Sequence, residues 1–256
     1  MALWVKAGFL KSRLRARLNR HRRTGPNPLI PRKGVAWAVS QTALVIAGYP
    51  MHIFPHVIIK GRKLWFRPCY PSDWFMELGL WEPYVVSAMR LSRGDVFVDV
   101  GAHIGYHALI ASNRVGSEGL VICIEPDPRN LTVLKRNMHG RMNVIIVEKA
   151  CGETAGTMHL SRESNPLYSE LGAEGISVSV EPLDSIIVPK DFASARHTIL
   201  KVDVEGGYRL VLAGASNFLE TFKPTIIIEA AGEKPVLAGY TDRSLAKGYY
   251  VYEPTD

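Results

Sequence analysis

From Asp95 onward, short apolar segments alternate regularly with amphipathic ones, and this alternation restricts the possible folds more than any other feature of the chain. VFVDV (96–100), GLVICIE, NVIIVEKA, HTILKVDV, KPTIIIEA and GYYVYE read as strands. Tyr106 to Asn113, PRNLTVLKRNMH and YRLVLAGASNFLE read as helices, with Leu131, Leu134 and Met138 on one face of the second. Strands that are apolar on both faces and separated by helices predict a doubly wound, mostly parallel α/β sheet covered on both sides. Between the third and fourth strands, GTMHLSRESN and GISVSVEPLDS read as an antiparallel excursion around the polar stretch 161–169.

Charge divides the chain at a different place. Residues 1–72 hold fourteen Lys and Arg and no acid, whereas the remainder holds seventeen basic residues against twenty-four acidic ones. In MALWVKAGFLKSRLRARLNRHRR, Leu3, Val5, Leu10, Leu14 and Leu18 recur at helical spacing among Lys11, Arg13, Arg15, Arg17 and Arg20. Such a basic amphipathic helix suits an anionic membrane surface or a nucleic-acid backbone, and equally a solvated tail. A Pro/Gly-rich linker follows, giving an arm over residues 1–33. Residues 35–59 carry no charge, but Ser40, Gln41, Thr42, Pro50, His52, Pro55 and His56 interrupt the run. A buried or interfacial helix over 35–47 is therefore expected instead of a membrane span. HVIIKGRKLWF alternates like a hairpin around Lys60-Gly61, so 34–72 forms a helix-and-hairpin segment and 73–256 the main domain. No small-residue cleavage site stands out, and a cleaved signal peptide is not expected. Cys69, Cys123 and Cys151 are scattered without metal-ligand spacing. That pattern suits a reducing, cytoplasmic setting, with peripheral membrane contact through the arm.

In an open α/β sheet, ligands bind beyond the carboxyl ends of the strands. VFVDVGAHIGYH (96–107) places Asp99 at the end of the first strand and glycines at 101 and 105 in the turn that follows. Glycine there allows close backbone approach to a ligand, and the next helix presents free amides. Glu125 ends the second strand, where a carboxylate can meet ribose hydroxyls. This framework could hold NAD or S-adenosylmethionine. The dinucleotide pattern G-x-G-x-x-G, counted from Gly101, would need glycine where His103 and Tyr106 stand. The D-x-G-x-x-x-G arrangement instead resembles the first motif of class I methyltransferases.

The resemblance can be narrowed. GDVFVDVGAHIGYHALIAS is similar to the opening block of FkbM-type methyltransferases, with His103 where that family more often has asparagine. Trp81, Glu82 and Pro83 match an upstream block, Glu125 and Pro126 an E-P block, and Leu183 and Asp184 the end of a V-x-V-x-x-L-D block. Lys201, Asp203, Val204, Glu205 and Gly206 match I-K-x-D-V-E-G, with Tyr208 in place of the usual glutamate, and KPTIIIEA matches the last strand with Glu229. The resemblance covers roughly 77–230 and implies a Rossmann-like class I methyltransferase fold with S-adenosylmethionine as cofactor. It implies cofactor-binding roles for Glu82, Asp99, Gly101, Ala102, His103, Gly105, Tyr106, Glu125, Pro126, Ala150 and Asp203, with Asp99 facing the methionine amino group. This fold normally adds an antiparallel strand after GYYVYE. The chain ends at Asp256, so either the sheet is one strand short or an N-terminal strand substitutes.

Methyl transfer from a sulfonium is an in-line displacement in which positioning dominates, and a hydroxyl acceptor also needs a general base. Asp203 and Glu205 are the leading candidates for that base, followed by His103 and Glu229. Lys201, which alternates with Asp203, reads more simply as a strand or turn residue. The turn that marks DNA amino-methyltransferases, (D/N)-P-P-(Y/F), is replaced by DVEG. The expected acceptor is a hydroxyl on a sugar, glycoconjugate or natural product. An RNA substrate held by the arm, or a non-catalytic binding role, are the alternatives. No metal is expected.

Overall fold

The chain divides into two units, Met1–Ile53 and Phe54–Asp256. The computed structural model describes residues 56–59, 62–65, 72–73, 76, 81–160, 175–187, 192, 195–204, 206–230, 233–246 and 248–255, all within the second unit. The basic arm, the apolar helix at 35–47, Glu205 and the whole polar 161–169 stretch with its continuation to 174 lie outside the described residues. Among the described residues, no helix is long and apolar enough to cross a membrane.

Strands β1 (His56–Ile59) and β2 (Arg62–Trp65) pair antiparallel, with His56 opposite Trp65, as the alternation around Lys60-Gly61 predicts. Helix α1 (Pro83–Ala88) follows. The chain then runs β3 (Val96–Val100), α2 (Tyr106–Val115), β4 (Leu120–Ile124), α3 (Pro128–Met138) and β5 (Val144–Val147). A side sheet comprises β6 (Ala150–Cys151), β7 (Gly156–Leu160) and β8 (Ile176–Glu181), with β7 and β8 antiparallel. After α4 (Leu183–Ile186) come β9 (Thr198–Val202), α5 (Tyr208–Ala213), α6 (Ser216–Phe222), β10 (Thr225–Glu229), β11 (Tyr240–Ala246) and β12 (Tyr249–Pro254).

The main sheet has the order β11-β12-β10-β9-β3-β4-β5. The five strands from β10 to β5 are parallel, and β12 and β11 are antiparallel. All five residues of β3 and of β9 are buried, as expected for strands covered on both faces. Their alternation divides the core into two layers. Phe97 and Ile199 join Leu109 of α2 and Leu134 of α3. Val96, Val98, Val100 and Leu200 join Val211 of α5 and Phe218 of α6. Asp99 and Lys201 share the strand parity of Phe97 and Ile199, and the β3–β9 register sets them directly opposite each other.

Both expectations for the end of the sheet are corrected by β11, which is the additional antiparallel strand. The chain leaves β10, runs out to the sheet edge as β11, and returns as β12 between the two. Four consecutive residues of β11, Thr241 to Ser244, are exposed. A polar edge strand carries no core-facing apolar alternation, and such edges resist unwanted pairing. The helix expected across 208–220 is two helices. A Cβ at Gly214 would lie 2.0 Å from the Gly152 carbonyl oxygen, so only glycine permits this approach. Asp184 caps α6 by accepting the amides of Asn217 (2.9 Å) and Phe218 (2.8 Å).

Candidate active site

The turns after β3, β4 and β9 meet at one end of the sheet around a cavity of about 280 Å³. Three main-chain bonds tie them together: Gly101 and Ala102 donate to the Ile124 carbonyl (2.9 and 3.1 Å), and Asp203 donates to the Val100 carbonyl (3.0 Å). Gly101 has φ 82°, and a Cβ there would lie 1.9 Å from the Asp203 carbonyl oxygen. The close approach that demands this glycine is therefore between two segments of the protein, while Gly101 itself lines the cavity. Gly105 (φ 86°) caps α2 and packs against α3, where a Cβ would meet Leu134 Cδ1 at 2.6 Å. Asn137 of α3 fastens the turn to the hairpin. Its Nδ2 donates to the carbonyls of Ile104 (2.6 Å) and Trp65 (3.0 Å), and its Oδ1 accepts the Trp65 amide (2.5 Å).

His103 lies in the left-handed region at φ 52°. Asparagine tolerates that conformation best and histidine is also enriched there, which accounts for both the usual family residue and this one. The His103 amide donates to Glu125 Oε2 at 2.8 Å. Glu125 Oε1 accepts the Asp127 amide (2.9 Å) and Asn130 Nδ2 (3.1 Å). A carboxylate offers about four lone-pair sites. These three donors occupy all but one, on Oε2, which is free for a ligand hydroxyl. Burial pushes the Glu125 carboxyl up to about 7, against these hydrogen bonds. Asp127 caps α3 through the Arg129 amide, with Pro128 at the first helical position.

The β9 side of the cavity is built differently. Lys201 Nζ lies 3.0 Å from Asp99 Oδ1 and 3.3 Å from Asp203 Oδ2, with its side chain only 3% exposed. Asp99 is wholly buried and does not line the cavity, and its partner is Lys201. Burial raises the Asp99 carboxyl, with Lys201 opposing. Burial also pushes Asp203 up, but the Lys201 charge and a hydrogen bond with Glu229 outweigh it and hold Asp203 below the ordinary carboxylate range. Lys201 is the converse case, since Asp203, Asp99 and Glu82 overcome the cost of burial and raise it.

Glu82 caps α1 in a left-handed conformation (φ 42°) and lines the same cavity. Tyr249, at the start of β12, donates its hydroxyl to Glu82 Oε1 at 2.6 Å. The other oxygen, Oε2, is buried without a hydrogen-bond partner among the described residues, 3.7 Å from His107 Nε2. Burial and then the Asp203 charge push Glu82 up to about 8. Burial holds His107 well below its usual value, so its ring is neutral.

Of the residues anticipated from sequence, Glu82, Gly101, His103, Glu125, Pro126, Ala150 and Asp203 line the cavity, as does Glu229. Ala102, Gly105 and Tyr106 are buried behind it and support the turn. Lys201, which reads in sequence as a plain strand residue, holds the ion cluster together. Its signal is a lysine inside a strand otherwise apolar on both faces. His107 and Tyr249 carry no comparable signal. Among the described residues, no cluster of His, Cys, Asp or Glu is arranged to hold a metal ion.

S-adenosylmethionine combines a ribose with a sulfonium and an ammonium, and the donor set fits those groups. Glu125 keeps a free lone-pair site on one side of the cavity, and the buried Glu82 Oε2 lacks a partner on the other. A sequence profile of the methyltransferase FkbM domain matches residues 99–249. The chain is 28% identical over 145 residues to hexuronic acid methyltransferase AglP of Haloferax volcanii, a match covering 55% of this chain and 58% of that protein. It is 32% identical over 71 residues to protein-L-isoaspartate O-methyltransferase 1 of Archaeoglobus fulgidus, covering 25% and 33%. The chain thus spans 58% and 33% of the length of these two relatives. A solved FkbM methyltransferase from Methylobacillus flagellatus superposes with a TM-score of 0.47 at 19% identity, over 65% of this chain and 45% of that one. With the profile covering more than half of its residues, the chain belongs to the FkbM family of S-adenosylmethionine-dependent methyltransferases.

Proposed function

We propose that the protein methylates a hydroxyl on a sugar, glycoconjugate or natural product. The observation that carries this reading is Asp203, a carboxylate on the cavity wall kept ionised by Lys201 at 3.3 Å. Bound S-adenosylmethionine supplies an electrophilic methyl group. The Gly101–His103 turn, Glu125, Asn130 and Ala150 would hold the cofactor, leaving Asp203, Glu229 and Tyr249 toward the acceptor. A hydroxyl proton becomes strongly acidic only as the oxygen lone pair enters the new bond, so a carboxylate of lowered pKa is a sufficient base. The similarity to a hexuronic acid methyltransferase supports an acceptor of the carbohydrate class.

The test is Asp203→Asn in the full chain, assayed with labelled cofactor against sugar, lipid and RNA pools. Cofactor affinity should stay within about threefold while turnover falls by about 100-fold or more. Near-normal turnover with cofactor bound would overturn Asp203 as the base. A second reading rests on the arm, whose residues 1–33 hold ten Lys and Arg and no acid. If the arm presents RNA to the site, activity on the RNA pool should fall steeply with added salt, whereas a sugar acceptor should show little salt dependence.

A further inference from the structure

Each methyl transferred to a hydroxyl removes one positive charge from sulfur and releases one proton from oxygen. The proton must be accommodated in a cavity whose wall already holds several acids. Asp203 takes it first as the base, and the residue placed to hold it afterwards is Glu82, the acid of raised pKa beside it. Its side chain is 10% exposed and lines the cavity. One oxygen is fixed by the Tyr249 hydroxyl, and the other, Oε2, is buried without a hydrogen-bond partner among the described residues. The groups that act on it from the neighbouring elements are Asp203 and Lys201 of β9, Asp99 of β3, His107 of α2 and Tyr249 of β12. Tyr84 of α1 and Tyr106 of α2 are also within its field.

We infer that Glu82 is a proton-exchanging counter-ion to the sulfonium, which loses its proton when the cationic cofactor binds and regains one when the neutral thioether product is left. The inference rests on the function proposed above. Its balance closes. As the acceptor O–H bond breaks and the O–C bond forms, the C–S bond breaks and its electron pair stays on sulfur. The cavity loses one positive charge at sulfur and gains one proton, which Glu82 Oε2 holds until solvent takes it. Lys201 cannot serve, because its ammonium is committed to Asp99 and Asp203. His107 is held neutral by burial and by the Lys201 charge.

With its carboxyl raised to about 8, Glu82 is mostly protonated at pH 7. A unit positive charge at about 6 Å and an effective dielectric of about 20 would lower a carboxyl pKa by roughly two. Binding S-adenosylmethionine at pH 7 should therefore release about 0.8 proton, whereas S-adenosylhomocysteine, lacking the sulfonium, should release almost none.

The measurement is titration calorimetry of the full chain with each ligand, in buffers of different ionisation enthalpy, corrected for each ligand's own amine. Glu82→Gln should bind both ligands without the difference in proton release. The wild type offers a check independent of any variant. Its preference for S-adenosylmethionine over S-adenosylhomocysteine should rise by up to about tenfold per pH unit between roughly pH 6 and 7.5. Equal proton release by the two ligands, an undiminished difference in Glu82→Gln, or a flat preference across that range would each overturn the inference. Failure to bind either ligand would overturn it together with the cofactor assignment. Proton-linked binding without methyl transfer to any hydroxyl would overturn the proposed function and leave the counter-ion standing.

Discussion

On the β4 side of the cavity Glu125 meets three hydrogen-bond donors, two of them backbone amides, whereas on the β9 side Asp99 and Asp203 share the single ammonium of Lys201. The first carboxylate is held by neutral dipoles of the turns, which fix its direction and leave it one open site. The second group is held by charge, and Glu82 stands beside it with an unpartnered oxygen. Glu125 on one side and Asp99 and Lys201 on the other are all buried, so the difference lies in what compensates for burial. Dipoles of fixed direction favour precise recognition of a neutral hydroxyl. Acids with too few cations create a field that answers to the arrival or loss of a positive charge.

The comparison is broken most severely by removing the ammonium. Lys201→Met leaves the buried Asp99, and Asp203 beside it, without their counter-charge and should cost about 3–5 kcal/mol of stability by chemical denaturation at pH 7. Adding Asp99→Asn should recover a large part of that loss. A cost below about 1 kcal/mol for Lys201→Met would show that the acids do not depend on the ion cluster.

A slightly smaller effect is the pH dependence of stability. Glu82 and Glu125 are both raised above their ordinary value of 4.5, to about 8 and about 7. A carboxyl raised on folding stabilises fully below its unfolded pKa, and the contribution is lost as pH rises through the folded value. The window is therefore about pH 4.5 to 7 for Glu125 and 4.5 to 8 for Glu82. Over these windows the loss is roughly 3 kcal/mol for Glu125 and roughly 4 for Glu82. Glu82→Gln should flatten its share of the decline. Comparing variant with wild type isolates the carboxyl from His107, which burial keeps neutral and which pulls the other way below its unfolded pKa. Identical pH profiles for wild type and Glu82→Gln would mean that Glu82 is not raised.

Third in size is the recognition side. Glu125→Ala removes the acceptor from the open site and strands the His103 and Asp127 amides. It should weaken binding of S-adenosylhomocysteine by roughly 1–3 kcal/mol in calorimetry. Unchanged affinity would place the ribose away from Glu125.

These contrasts were unequally legible in the chain. The parallel core can be read because 96–100 and 198–202 are apolar on both faces, and the nucleoside side because Glu125 follows its strand directly. The ion cluster cannot be read, because Asp99 and Lys201 meet only through the register of strands 102 residues apart in sequence. Single strands carry no record of which neighbour they will face. The same limit hid β11, whose exposed residues have no core to report. It also hid the packing within the chain, against Asp203 and against α3, that requires glycine at 101 and 105.

The smallest expected effect concerns His103, which sequence places among both the catalytic and the cofactor-binding residues. Its contact with Glu125 is made by the backbone amide, and its left-handed conformation suits asparagine at least as well. His103→Asn keeps that amide and that conformation. Stability should therefore change by less than about 0.5 kcal/mol, because asparagine suits that conformation at least as well. Cofactor affinity should be unchanged. If Asp203 takes the acceptor proton, turnover should also stay within about threefold, and its pH profile should keep its shape. Should His103→Asn instead lower turnover about 100-fold while binding the cofactor normally, the imidazole would be the base. The ionised Asp203 would then act only through the field it shares with Lys201 and Glu82.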